Sequence, residues 1–342
     1  MTAQIRVACV GTGYFSRFQY RAWKRLPEVS LVALCNRNRA KAEAFAAEFD
    51  IPGIYDDLPA MLDATRPDIL DIITPPETHL AAICAAAERR IDVICQKPFC
   101  LSLAEAEMAL RVASKAGISI IIHENFRFQP WHRALRECLA QGRLGPIYQA
   151  SFRLRPGDGQ GPGAYLDRQP YFQTMPRFLV HETAIHLIDV FRFLFGDART
   201  VTALLRRLNP GIAGEDSGLF VLDMADGTRC VFDGNRLSDH PARNRRLTMG
   251  ELLIEGEKGV LSLDGDGNIR FRAHGMNITE PVAYEWDDIE FGGDCVYRFQ
   301  KHVVDHRLGR GDVETRAQDY LANIRIEEAI YESNETGRRI TL

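Results

Sequence analysis

The first third of the chain alternates short apolar runs with amphipathic stretches. Apolar runs at residues 4–10, 29–34, 53–55, 68–73, 92–95 and 118–123 read as strands. Helical spacing is expected between them, from residue 16 through 26 and over 39–48, 58–64, 80–90 and 103–116. Strands alternating with helices imply right-handed crossovers and a parallel sheet covered on both faces. Beyond residue 124 the period changes. A helix is predicted over 131–141, a strand over 147–155, an aperiodic loop rich in glycine and proline over 156–169, and a helix over 179–196. Period-two runs follow at 200–207, 217–224, 229–234, 251–255, 259–263 and 268–273, with Asp226-Gly227 as a hairpin signal. These predict an antiparallel sheet. Helices over 296–308 and 315–333 and a short strand over 338–341 close the chain.

Within this frame the first turn carries chemistry. Strand 4–10 leads into Gly11-Thr12-Gly13-Tyr14-Phe15-Ser16 and then a helix. The first glycine permits a tight turn, and the second lets a pyrophosphate approach the backbone at the helix N-terminus. Ser16 stands where a third glycine is usual, and it is small enough for close packing. The fold class is therefore α/β plus α+β. A Rossmann-type dinucleotide-binding domain over 1–124 is expected to precede a domain over 125–342 built on an antiparallel β-sheet.

The second strand ends in Cys35-Asn36-Arg37-Asn38, where an acidic residue normally binds the adenosine ribose. Neutral Asn36 and cationic Arg37 tilt the reading slightly from NAD toward NADP. Asn36 can equally bind a free ribose hydroxyl, and Arg37 can cover adenine or stay solvated. Ligands of parallel sheets sit at the carboxyl ends of the strands. Thr74-Pro75, Gln96-Lys97-Pro98 and Glu124 are predicted at those ends. Lys97 there can donate to a substrate hydroxyl and stabilise developing charge.

On a helical wheel, 179–196 places Ala184, Leu187, Ile188, Phe191 and Phe195 on one face, and Glu182, His186 and Asp189 on the other. Glu182 and His186 stand at i, i+4, a plausible proton-handling pair or else a solvated polar face. His181-Glu182 and His186 do not form a zinc-protease motif, because the histidines are five apart. Asp264-Gly265-Asp266-Gly267-Asn268 starts like a calcium loop but lacks its later glycine and glutamate, so it reads as a turn. No metal site is expected. The aperiodic loop carries Tyr165 and Arg168 just before this helix. It is expected to wall a substrate pocket, with Arg155, Tyr165 and Arg168 as polar contacts.

Together the GTGYFS turn, TPPETH, QKP, ENFRFQP, HETAIHLID and EGEKG segments resemble the Gfo/Idh/MocA oxidoreductases, along nearly the whole chain. That family includes glucose–fructose oxidoreductase and inositol dehydrogenases. The resemblance implies hydride transfer between a sugar or cyclic polyol and NAD or NADP. It implies cofactor contacts at Gly11, Gly13, Tyr14, Phe15, Asn36, Arg37, Thr74, Pro75, His79, Gln96 and Lys97. It implies Lys97, His186 and Glu182 as the catalytic set, with Gln96 replacing the family's usual glutamate and Glu182 its aspartate. An imidazole of ordinary pKa, near ~6.5, suits proton transfer at neutral pH. The resemblance implies a large open antiparallel β-sheet in the second domain, whose free face packs in the family against another subunit, so a homodimer or homotetramer is expected, with the last helix returning toward the first domain. Other readings are an NAD-dependent glycosidase of this fold and a cofactor-binding sensor without turnover.

The balance of 42 basic and 46 acidic residues, without a basic block, gives no reason to expect nucleic acid or an anionic membrane as a partner. No apolar run is long enough to span a bilayer, and no export signal is read at the N-terminus. The eight cysteines form no CxxC pair, and are read as reduced core residues of a cytoplasmic protein.

Overall fold

A computed structural model of the protein describes residues 4–342. Two compact units divide it. One holds the residues up to Asn125 together with Val296–Leu321, and the other holds Phe126–Cys295 with Ala322–Leu342.

In the first unit, six parallel strands take the order β3-β2-β1-β4-β5-β6. They are β1 (Ile5–Val10), β2 (Val29–Cys35), β3 (Gly53–Tyr55), β4 (Ile69–Ile72), β5 (Asp92–Gln96) and β6 (Ile120–His123). The central strands are buried on both faces, which explains why they read as unbroken apolar runs. The crossovers are α1 (Ser16–Lys24), α2 (Arg39–Phe49), α3 (Leu58–Thr65), α4 (His79–Glu88) and α5 (Leu103–Ala116). Asn38, Asp57 and Ser102 cap α2, α3 and α5 by accepting from the amides of Lys41, Ala60 and Glu105. The strand order reverses between β1 and β4, so the turns after these strands flank a topological switch point. Residues 296–321 complete this unit. The Phe299 ring meets His123 edge-on, and Ile121 bridges Arg316, which covers the outer edge of β6.

The second unit opens with α6 (Pro130–Ala140) and β7 (Ile147–Leu154). Its sheet comprises β8 (Ala198–Arg206), β9 (Ser217–Met224), β10 (Arg229–Asn235), β11 (Gly250–Gly256), β12 (Gly259–Leu263), β13 (Ile269–Ala273), β14 (Glu280–Pro281) and β15 (Ile340–Thr341) around β7. The order is β14-β13-β12-β11-β7-β10-β9-β8-β15. Expected as antiparallel throughout, the sheet has one parallel pair at its centre, β7 with β10. A parallel pair requires a crossover, and the long segment between these strands supplies one. Ala150, Phe152, Phe220, Leu222 and Phe232 fill one face, whereas Leu204, Leu219 and Leu253 are exposed on the other.

The helix predicted over 179–196 is two pieces. Leu179–Ala184 is a π-helical segment, and the α-helix α7 (Ile185–Phe195) follows. Wheel angles for an α-helix therefore do not apply before Ile185. The polar side of α7 is also not solvated, for His186 and Asp189 are both buried. Among the described residues no helix is long and apolar enough to cross a membrane.

Candidate functional site

The first unit's chemistry gathers at the carboxyl ends of its strands. Gly11 has φ +114°, and a Cβ there would lie 2.8 Å from the Ile73 carbonyl oxygen. Only glycine fits. A Cβ on Gly13 would meet nothing within 4 Å, so the backbone there lies open. Ser16 is buried, and its hydroxyl donates to the Gly13 carbonyl at 2.6 Å, so serine fastens the turn that it was expected merely to tolerate. No side chain caps α1, and no acidic residue stands in its first turn. The helix N-terminus thus keeps its positive end for an anion. Tyr14 is 41% exposed, while the Phe15 ring packs on Phe18 and His123.

Asn36 follows β2 with its amide nitrogen bonded to the Asn38 carbonyl, and Arg37 is exposed beside it. Thr74 and exposed Pro75 form the turn after β4. His79 is fully buried behind them. Its ring nitrogens lie 2.9 Å from the Phe99 carbonyl and 2.7 Å from that of Thr74, so it clamps the turn. Burial pulls its pKa below the ordinary value, against the opposing pull of those carbonyls.

Gln96 ends β5. Its side-chain oxygen accepts from the Lys97 amide at 2.8 Å, and its nitrogen donates to Gln19 Oε1 at 3.3 Å. Gln19 in turn donates to Asp71, as does Trp23 Nε1 at 2.8 Å. A buried carboxylate thus orders the residues behind Lys97. Pattern alone did not single out Asp71 or Gln19, because one acidic residue inside an apolar strand gives no periodic signal.

In the second unit, the π segment starts against Glu215. The Glu215 carboxylate accepts from the amides of Phe178 at 3.2 Å and Val180 at 3.1 Å, and its carbonyl accepts from Leu179. An acidic group from another strand connection therefore does the capping that no local side chain provides. His186, the second residue of α7, stacks face to face on Phe126 with centroids 3.9 Å apart and planes within 4°. Asp189, three residues on, receives two bonds from Arg127, at 2.6 and 2.7 Å, and one from Asn323 at 2.8 Å. The imidazole is held by a ring on one side and a rigid, charge-balanced turn below it.

Glu182 accepts from the Thr183 hydroxyl at 2.7 Å and stands 3.8 Å from the Arg236 guanidinium. Arg236 also binds Asp158 of the 156–169 loop through two nitrogens, at 2.8 and 3.1 Å. Burial works against the Arg236 charge, yet Asp158 and the neighbouring Tyr165 and Glu182 more than offset it and hold its pKa above the usual range. Arg168 donates to Asp158 at 3.1 Å. Tyr165, at φ +71°, is buried against Phe172 and Phe178, and burial pushes its pKa up to about 12. Tyr165 and Arg168 thus join Glu182 in one network. Arg155 does not join it through any of these bonds. Its guanidinium takes the Asp233 carboxylate at 2.6 Å, beside the exposed sheet face that carries Arg153 and Glu251. Asp158, Thr183 and Arg236 escaped the sequence reading because their meeting spans 78 residues without a shared motif.

His181, the other histidine of the segment, lies 2.6 Å from the buried Glu327. Asp264 binds the amides of Asp266 and Asn268 with its own carboxylate, as a turn does.

Residues 5–123 match the model of the oxidoreductase family with an NAD-binding Rossmann fold, and residues 132–262 match that of the GFO/IDH/MocA C-terminal domain. The chain belongs to the Gfo/Idh/MocA oxidoreductase family. It is 32% identical to D-apiose dehydrogenase of Paraburkholderia graminis, across 98% of this chain and 89% of that one. To D-apiose dehydrogenase of Rhizobium rhizogenes it is 29% identical, across 99% and 98%. A solved oxidoreductase from Agrobacterium radiobacter, in complex with NAD+, L-tartaric acid and magnesium, superposes with a TM-score of 0.89. That similarity is at 28% identity and covers 99% and 98% of the two chains.

The residues fit the dinucleotide of this family. The Gly11–Gly13 turn at the switch point, the open backbone of Gly13 and the uncapped start of α1 form a cradle that a side chain would fill.

Proposed function

We propose that this protein is an NAD(P)-dependent dehydrogenase that oxidises a ring hydroxyl of a small neutral sugar or cyclic polyol. The observation that carries it is the glycine cradle at the switch point, in a chain related end to end to sugar dehydrogenases. When bound, the nicotinamide supplies a hydride acceptor.

The chain's own residues supply the rest. His186, its ring fixed on Phe126 and its helix braced by Asp189 and Arg127, takes the hydroxyl proton. Lys97 donates to the reacting oxygen and stabilises alkoxide character. Glu182 accepts from a neighbouring hydroxyl. Gln96 hydrogen-bonds the nicotinamide ribose, Thr74 and Pro75 border the dinucleotide, and Tyr14 and Phe15 line it. Neutral Asn36 lacks the charge that repels a 2′-phosphate and Arg37 can pair with one, which tilts the choice slightly toward NADP. The 156–169 loop walls the substrate, with Arg168 as its polar contact and Tyr165 as its buried support. The exposed Leu204, Leu219 and Leu253 suit the second unit's open sheet face to homo-oligomer formation in the cytoplasm. Light scattering of the pure protein checks this, and a strict monomer contradicts it.

The functional reading is tested with a panel of aldoses, inositols and sugar acids, offered with NAD and NADP while reduced nicotinamide is followed. Turnover is expected with at least one neutral sugar or polyol. His186→Ala and Lys97→Ala each lower it by roughly 10²-fold, with cofactor affinity retained in His186→Ala. Near-normal turnover in both variants, or none in the wild type, overturns the assignment.

A further inference from the structure

Arg236 carries a charge into the interior of the second unit, with only 2% of its side chain exposed. A guanidinium so placed needs acceptors around its whole edge. Asp158 takes its Nε and Nη2 protons, and Thr183 Oγ1 takes a third from Nη1 at 2.6 Å. The rings of Phe178 and Tyr165 lie 4.7 and 5.1 Å from the guanidinium carbon.

The direction of each bond is forced. A guanidinium only donates and a carboxylate only accepts, so the Thr183 hydroxyl must accept from Arg236 and donate to Glu182. The same guanidinium holds Asp158, and the Arg236 carbonyl accepts from the Gly159 amide at 2.9 Å. Asn209 adds bonds to the carbonyls of Gly159 and Gly161. One buried side chain therefore joins the 156–169 loop to the Glu182 carboxylate.

We propose that Arg236 is a positioning residue for the substrate-binding side of the second unit. It sets the Glu182 carboxylate through the Thr183 hydroxyl, and through Asp158 it fastens the 156–169 loop to that carboxylate. Loop and carboxylate then act as one rigid acceptor toward a substrate hydroxyl. This deepens the sugar-dehydrogenase reading and rests on it.

Two measurements test it. With the best neutral sugar of the panel, Thr183→Val, which keeps shape but loses the hydroxyl, lowers kcat/KM about 10-fold. Thr183→Ser, which keeps the relay, restores it to within about 2-fold. In a Glu182→Gln background the Thr183→Val loss disappears, because the two residues act through one path. A loss that multiplies unchanged in that background, or is not rescued by serine, overturns the relay. Hydrogen exchange read by mass spectrometry needs no turnover. Arg236→Lys and Asp158→Asn speed exchange within 156–169 about 10-fold while the β9–β10 core amides keep their protection. Unchanged loop exchange overturns the fastening. If the wild type turns over nothing, the functional reading fails, and loop exchange still decides the role of Arg236.

Discussion

Asp71 lies at the centre of a parallel sheet with no exposed surface, and burial pushes its carboxyl up to about 7 although Trp23 and Gln19 donate to it. In the unfolded chain it titrates near ~3.9. Between these values the folded protein holds a proton that the unfolded chain has released. Stability is therefore favoured at low pH and falls as pH rises through the folded pKa, by at most about 1.4 kcal/mol per pH unit. Asp71→Asn removes this component. Urea midpoints at about pH 5 and about pH 8 should show the wild type losing stability relative to the variant. A difference that stays constant across that range contradicts the account. At this scale the sequence marked candidate residues by type and place, as with Lys97, His186 and the exchange to Gln96. It did not show partners such as Asp71, Phe126 or Arg236. Those partners are chosen by three-dimensional packing, and one chain's periodicity records burial without recording who meets whom.

Among the elements, the glycine turn was legible to the residue, because strand, glycine spacing and helix follow one another locally. Its two glycines do different things, and substitution separates them. Gly11→Ala forces a Cβ against the Ile73 carbonyl at a positive φ and should cost about 1–3 kcal/mol in thermal or urea unfolding. Gly13→Ala meets no neighbour, so stability should hold within about 0.5 kcal/mol. In the proposed cradle that Cβ would meet the pyrophosphate, and NAD(P) affinity measured by calorimetry should fall by about 10-fold or more. Equal cofactor affinity in Gly13→Ala and wild type counts against the cradle. The 179–196 segment was legible only as a helix. Its π start was not, because the Glu215 cap that gathers its first amides comes from 35 residues or more downstream. The solvated polar face expected as one reading of α7 failed for a related reason, since Arg127 and Asn323 neutralise and cover Asp189 from outside the helix.

Across the whole molecule, the order of strands and helices was readable from the change of period, and so was the sequence of a parallel sheet and then a largely antiparallel one. The parallel pairing of β7 with β10 was not, because pairing partners in a sheet depend on crossovers that apolar alternation does not encode. Nor did any local signal place residues 296–321 with the first unit, where Thr315 and Arg316 reach back to β6. The central claim is hydride transfer from a sugar carbon, with His186 removing the proton. It is tested most directly by offering a sugar fully deuterated on carbon, chosen from the turned-over members of the panel, and weighing the reduced nicotinamide. The account predicts that the nicotinamide carries one substrate deuterium, that the wild-type rate shows a primary isotope effect, and that His186→Ala forms the same labelled product far more slowly. Reduced nicotinamide without the label, or an unslowed His186→Ala variant, would contradict it.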